Sequence, residues 1–338
     1  MKSKISKLPF VIFLLLSCIF STFAQQTNRE RGIELYRQSN YKAAANFLKK
    51  SVKDNEKDAE SWYFLGLTYL QIEEEKNAVK AMQKAVELNP NNALMRNGLA
   101  YAYLIKNDSN GAYKEAQETI KMDSKLAEPY YILGVLAFRN GSYNSAYERA
   151  QQTLKLNPNI VSAYLLKSES LVASFTKQYG TITKTAPLRS EILKEASDDL
   201  ENFLNRAPNI DNKKFYLEYL ASIKFFADHY RRQETQSDKA ANVLANVSDS
   251  NSSLKITSKP RALYTDAARR AGISGRVDLL VGFDADGTVK HVLILNPLGY
   301  GLNENAVRAA RNIRFEPATE NGKPISVVKQ VQYSFMIY

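Results

Sequence analysis

KPRALYTDAARRAGISGRVDLLVGFDADGTVKHVLILNPLGYGLNENAVRAARNIRFEPATENGKPISVVKQVQYSFMIY, Lys259 to Tyr338, is the stretch that decides how this chain is read. Val277, Leu279, Val281 and Phe283 alternate with Asp278, Leu280, Gly282 and Asp284, the period of a strand with one strongly apolar face. Asp286-Gly287 suits the positive φ of a tight hairpin turn. A return strand follows, from about Thr288 to Leu295. Its apolar parity slips between Val289 and Val292, which predicts a bulge. Asn296-Pro297 and Gly299 break it. Leu302, Ala306, Val307, Ala310 and Ile313 then recur at helical spacing, with Asn303 placed to cap the helix. Gly322 and Pro324 precede a last strand, in which Val331, Tyr333, Phe335 and Ile337 alternate with Gln330, Gln332, Ser334 and Met336. Two hairpin strands, one helix and one strand bury the helix on one face of the sheet. The expected module is ββαβ with an open edge, a shape suited to receiving an extended peptide.

At these residues the chain resembles the TonB carboxy-terminal domain. The resemblance rests on an ordered set: Pro260 and Tyr264, Ala268-Arg269-Arg270, Gly272-Ile273, Gly275-x-Val277, Asp286-Gly287-x-Val289, Leu302-x-x-x-Ala306, Arg311-x-x-Arg314-Phe315-x-Pro317-Ala318 and Asn321-Gly322-Lys323-Pro324. Thr265 stands where the family usually carries proline after the tyrosine. The resemblance implies capture of a short extended segment, the TonB box of an outer-membrane transporter, beside the last strand. An edge strand offers unpaired N–H and C=O groups that such a segment satisfies. The strand expected to pair is Val327, Val328, Lys329, Gln330, Val331, Gln332, Tyr333, Ser334 and Phe335. The competing expectation is an ordinary strand whose edge is covered by the chain's own linker.

Upstream, Gly32, Gly66, Ala100, Gly134 and Ser168 recur at one fixed step of 34 residues. Trp62, Arg96, Tyr130 and Tyr164 keep the same step, as do Ala44, Ala78, Ala112 and Ala146. Small residues at this period let paired helices pack closely, and the pattern resembles the tetratricopeptide repeat. Four repeats run from about Arg29 to Pro158. A fifth uses Tyr164 to Leu171 and then Ala196, Leu200, Phe203 and Pro208, interrupted by extra residues around Phe175 to Arg189. Lys213 to about Arg232 reads as a closing helix. By family position the groove presents Tyr36, Tyr63, Leu67, Leu70, Tyr101, Ile105, Tyr131, Val135, Phe138 and Arg139. This lining suits a peptide or a partner's helix; several of these residues also read as packing between helices.

The fold class is therefore α+β and multidomain: an all-α repeat solenoid over residues 28–232, a polar linker over 233–257 and the small sheet module over 258–338. The linker sequence, rich in Ser and Asn, reaches roughly 25–30 Å as a flexible chain. Deleting Ser258 to Tyr338 is expected to leave the solenoid's cooperative melt intact. At the amino terminus, Lys2, Lys4 and Lys7 precede an apolar run from Leu8 to Phe20. Thr22 and Ala24 fit cleavage before Gln25, so residues 1–24 read as an export signal. The alternatives are an uncleaved inner-membrane anchor, or a lipoprotein modified at Cys18. Each places the remainder outside the cytoplasm, in the periplasm.

Cys18 is the only cysteine, so a chain cleaved before Gln25 has no disulfide. The net charge is +11 at pH 7, and +8 without the three leader lysines. This excess is spread along the chain and reads as a solvated surface. Nucleic acid is not an expected partner. His229 and His291, the only histidines, read as structural or surface. Catalytic, cofactor-binding and metal-binding residues are expected to be none: there is no phosphate loop, nucleophile elbow or Cys/His set. Asp284-Ala285-Asp286-Gly287 echoes a calcium loop, but Leu295 stands where the acidic ligand belongs. Two function classes remain. One is a TonB-like adaptor for an outer-membrane transporter; the other is a non-energised periplasmic scaffold. Leu8 to Ala24 has no histidine, against the functional one that the resemblance implies for an energised anchor.

Overall fold

The computed structural model describes residues 27–175, 189–207, 209–240 and 254–337. The leader, the extra residues after Phe175 up to residue 188, and residues 241–253 of the expected linker lie outside this set. The chain divides into two compact units between Asp123 and Ser124.

The first unit holds three helix hairpins: α1 (Asn28–Arg37) with α2 (Tyr41–Asp54), α3 (Ala59–Gln71) with α4 (Glu75–Leu88), and α5 (Ala93–Ile105) with α6 (Ser109–Met122). Side chains that satisfy orphan amides fix several helix starts. Thr27 and Glu30 form a reciprocal capping box, Asp58 accepts from Glu60 N and Ser61 N, and Asn92 accepts from Met95 N. The small residues of the repeat sit where helices cross. A Cβ on Gly32 would lie 2.6 Å from Leu48 Cγ, and one on Gly66 would lie 2.8 Å from Met82 Cγ. Leu48 and Met82 are fully buried, as are Ala44 and Ala78.

The turns within the hairpins keep the same step in their backbone. Ser39, Glu73, Asn107 and Gly141 all have φ between 60° and 72°. Only one of the four is glycine, so composition concealed a left-handed position that the geometry repeats.

The second unit begins with α7 (Glu128–Arg139) and α8 (Tyr143–Leu156), continues with α9 (Ser162–Phe175) and α10 (Arg189–Arg206), and reaches the long helix α11 (Lys213–Ala240). The closing helix thus runs further than expected, and Gln233–Ala240 belongs to it, not to a linker. After β1 (Lys255–Ser258) and the short α12 (Asp266–Arg270) come β2 (Gly275–Phe283), β3 (Val289–Asn296), α13 (Leu302–Arg311), β4 (Arg314–Glu316), β5 (Ala318–Glu320), β6 (Lys323–Ile325) and β7 (Val327–Phe335). The main sheet has the order β3-β2-β7, antiparallel throughout; β1 pairs with β4 and β5 with β6.

The β2–β3 register slips between Val281/Val292 and Phe283/Val289, where the parity of the sequence placed a bulge. The hairpin turn closes by Gly287 N donating to Asp284 O, with φ +83° at Gly287 and none positive at Asp286. Asn303 does not cap α13. Gly301, at φ +77°, holds the cap position, and Asn303 Oδ1 instead accepts from Leu298 N at 2.8 Å and Gly299 N at 3.3 Å, tying down the preceding loop. Already the second residue of the helix, its side chain is better placed to satisfy the loop's amides than those of the helix.

Val277, Leu279, Val281 and Phe283 are fully buried, and α13 contributes Leu302, Ala306, Val307 and Ala310 to the same core. Phe315 meets Phe283 edge-on at 4.9 Å. The other sheet face is covered as well: Leu280, Leu293 and Leu295 are buried. One continuous apolar cluster joins α9, α10 and α11 to the sheet and α13. The expected separable module therefore shares its core with the last helices of the repeats.

Two outcomes follow from this packing. Glu73→Gly, which relieves a left-handed non-glycine residue, raises the stability of the first unit by about 0.5 kcal/mol, while Asn107→Gly changes it little because Asn tolerates this conformation; urea denaturation measures both. Deleting Ser258–Tyr338 removes the helical unfolding transition of the second unit seen by circular dichroism, because it strips α9 and α11 of their apolar cover. The fluorescence transition of Trp62, which lies in the first unit, survives. Retention of both transitions would show that the shared cluster is not a folding unit.

Candidate functional site: one open edge of the sheet

β7 forms an outer strand of the three-stranded sheet, and its register with β2 runs unbroken from Gly275↔Phe335 to Phe283↔Val327. Val331, Tyr333 and Phe335 point into the core, while Lys329, Gln330, Gln332 and Ser334 are exposed. In an antiparallel ladder each residue sends its N–H and C=O to the same side. The Gln332 carbonyl accepts from the Lys259 ammonium at 2.7 Å, so Gln332 faces away from β2. Val328, Gln330 and Ser334 share that parity. Their backbone groups form the free edge, and among the described residues no strand pairs with it. The amides of Val327, Lys329, Val331, Tyr333 and Phe335 face β2.

The opposite edge of the sheet, β3, is closed by α11. Ser222 Oγ, buried on that helix, accepts from Val292 N at 3.2 Å. The Ile294 amide hydrogen-bonds the Tyr219 hydroxyl, and burial pushes that hydroxyl's pKa well up. His291 stacks on Phe225 with ring centroids 4.1 Å apart. Phe225 Cε1 also comes within 3.5 Å of the Cβ position of Gly282, so the ring packs directly over that glycine. Arg311 of α13 pairs with Glu218 of α11. From the repeat side, Tyr143 Oη donates to Asn296 Oδ1 at 3.2 Å.

The expected groove residues divide between the units. In the first, Tyr36, Tyr63, Leu67 and Leu70 are half-buried against the helical core. Tyr36 meets Phe64 at 5.7 Å, and the Tyr63 ring fills the space above Gly98. Tyr101 and Ile105 are the open ones, at 40% and 39% exposure. In the second unit Tyr131, Val135 and Phe138 are half-buried and Arg139 is exposed; Phe138 packs on Tyr143 at 5.4 Å. One repeat further on, the same column reads Leu165, Glu169 and Val172 on α9. That helix packs against β3, and Val172 is buried in the shared cluster. The chain's own sheet module thus fills this column at the last hairpin. The sequence signal for this was the unbroken run Val292-Leu293-Ile294-Leu295, which calls for burial on both faces.

The docking surface carries titratable groups. Burial, then the neighbouring Glu304 carboxylate, pushes Glu169 up to about 7, and Glu304 Oε2 is buried without a hydrogen-bond partner. Burial lowers His291, whose Nδ1 is likewise buried and unpartnered; Lys290 and Arg311 add to the lowering and Asp284 opposes it. Among the described residues no group of His, Cys, Asp and Glu could hold a metal ion, and no helix is long and apolar enough to cross a membrane.

With this geometry in hand, residues 260–337 match the family model for the Gram-negative bacterial TonB protein C-terminal, and residues 23–164 match that for the cytochrome c-type biogenesis protein H TPR domain. The sheet module is a TonB carboxy-terminal domain, carried behind tetratricopeptide repeats. No curated protein matches the chain. Among solved structures, the chain is similar to MamA at 22% identity, covering 54% of this chain and 90% of the other, with a TM-score of 0.41. It is also similar to a thermophilic TPR protein of Thermus thermophilus at 18% identity, with coverage of 58% and 96% and a TM-score of 0.44. PilF of Pseudomonas aeruginosa is 16% identical, with coverage of 64% and 91% and a TM-score of 0.47. In this TonB domain the free edge is β7 and the sealed edge is β3.

A depressed histidine contributes stability that is complete above its unfolded pKa of 6.5 and lost as pH falls towards the folded value. Glu169 works in the opposite sense: its contribution is complete below 4.5 and lost as pH rises through about 7. His291→Phe keeps the stack on Phe225 and removes the proton site. Its melting temperature therefore falls less between pH 7 and pH 5 than that of the unaltered protein; an equal fall would place the acid sensitivity elsewhere.

Proposed function

We propose that this is an exported envelope adaptor without enzymatic activity. Its TonB domain captures an extended segment of a partner along β7, and its repeats dock a second protein or peptide. The observation that carries this reading is the asymmetry of the sheet: α11 seals β3, while Val328, Gln330, Gln332 and Ser334 line an edge that no strand among the described residues covers. Backbone pairing supplies affinity there, and the exposed side chains add selectivity. The family of the domain supports an outer-membrane transporter's TonB box as the captured segment, and an envelope location. Lys2, Lys4 and Lys7 ahead of Leu8 to Phe20, with Ala24 before Gln25, support export to the periplasm. In the first unit, exposed Tyr101 and Ile105 beside Leu67 and Leu70 support the groove as the second docking surface.

A second reading, a non-energised periplasmic scaffold for an envelope complex, is favoured by the shared core. The TonB domain is held on the last helices, so a partner strand bound at β7 is linked through α11 to the repeats. Such a chain joins two proteins without reaching across the periplasm on a free spacer.

The parity of β7 chooses the variants. Proline at Val331 would remove an amide that faces β2 and disrupt a buried position, so it tests folding. Gln330→Pro removes an outward donor instead, which an edge strand tolerates. In a background with Cys18→Ala, a cysteine at Gln330 crosslinks in cells to the captured protein, and a cysteine at exposed Lys80 gives the background level. Crosslinks to an outer-membrane transporter support the adaptor; crosslinks to other envelope proteins support the scaffold; no excess over Lys80 removes both. Purified Gln330→Pro melts as the unaltered protein does and holds the crosslinked partner at least about tenfold more weakly, the loss of roughly one strand hydrogen bond and its neighbours' alignment.

A further inference from the structure

This inference rests on edge capture at β7 and names what the captured segment carries. Lys259 is exposed, yet its ammonium is committed twice: it donates to the Gln332 carbonyl at 2.7 Å and lies 4.8 Å from the centre of the Tyr333 ring. Its backbone cannot move far from the strand. Ser258 belongs to β1, which pairs with β4, and Pro260 follows. Five residues along, Tyr264 packs edge-on against Phe335 at 5.9 Å, tying the same segment to the end of β7. Lys259 is thus held beside the middle of the free edge.

A strand arriving on that edge brings its own N–H to the Gln332 carbonyl, and the ammonium must give up that acceptor. A neutral segment leaves the displaced cation with water alone. A segment with a carboxylate near this position gives it a charged partner in place of the lost carbonyl. Among the described residues, no acidic side chain pairs with Lys259. We infer that Lys259 is a specificity-determining residue of the edge, selecting an extended segment with an acidic side chain opposite Gln332. The lysine also guards the empty strand, because a cation at an edge discourages neutral strands from pairing there.

The test uses the full chain and two synthetic strand peptides with acetylated and amidated ends. Each is nine residues of alternating Val and Thr; one carries a central Asp and the other Asn. Fluorescence anisotropy at low salt gives both affinities for the unaltered protein, for Lys259→Met, which keeps the apolar stem, and for Lys259→Arg. The expected result is a preference for the Asp peptide of about three- to tenfold. It falls to near onefold in Lys259→Met, returns in Lys259→Arg and fades in high salt. Equal binding of the two peptides, or a preference that persists in Lys259→Met, overturns the inference while leaving edge capture in place, provided Gln330→Pro weakens both. Failure of both peptides to bind any of the folded variants removes edge capture, and the selection with it.

Discussion

The contact on which the second unit depends is the seating of α11 along β3. A strand at the edge of a small sheet exposes backbone groups that must be satisfied or left to water. Here Ser222 takes the Val292 amide, Tyr219 meets that of Ile294, and Phe225 fills the space that Gly282 leaves open. A helix thus stands where a further strand could have added. Among the described residues the sheet is left with one open edge, and the position of β7 as that edge follows from what covers the other.

The same contact makes the repeats and the TonB domain energetically inseparable at their junction. Phe226 and Ile223 of α11, Leu193 and Leu200 of α10, and Leu279 and Leu293 of the sheet are all fully buried in one cluster. Burial of this kind supplies most of the favourable free energy of a fold, and it is roughly proportional to apolar area removed from water. Neither partner in the contact keeps its full share alone. β7 and the last repeat helices therefore belong to one packed body, which is the physical basis for the proposed reading of the chain as a joint between two proteins.

Much of this was legible in the amino acids. The step of 34 residues placed Gly32, Gly66 and Gly134 at helix crossings, and at Gly32 and Gly66 the structure shows how closely a facing side chain approaches. Alternation over Val277–Phe283 and Val331–Phe335 gave both strands with the correct faces, and the parity slip after Val289 gave the bulge. Less was legible where a residue's role depends on a distant neighbour. Asn303 had the chemistry of a helix cap and serves the preceding loop. Gln233–Ala240 had the composition of a linker and extends α11. The left-handed turns at Ser39 and Glu73 left no mark in residue type, since tertiary packing outweighs a local strain of about 1–2 kcal/mol.

The sequence by itself determined the elements, their faces and the family of the last domain, because these follow from periodicity and from short-range chemistry of turns and crossings. Only the tertiary structure decided which edge of the sheet stays open, which amides of β7 face outward, and where Lys259 places its charge. Those depend on α11 meeting β3 across some seventy residues of chain, as in the Ser222–Val292 bond, and no local pattern encodes that encounter.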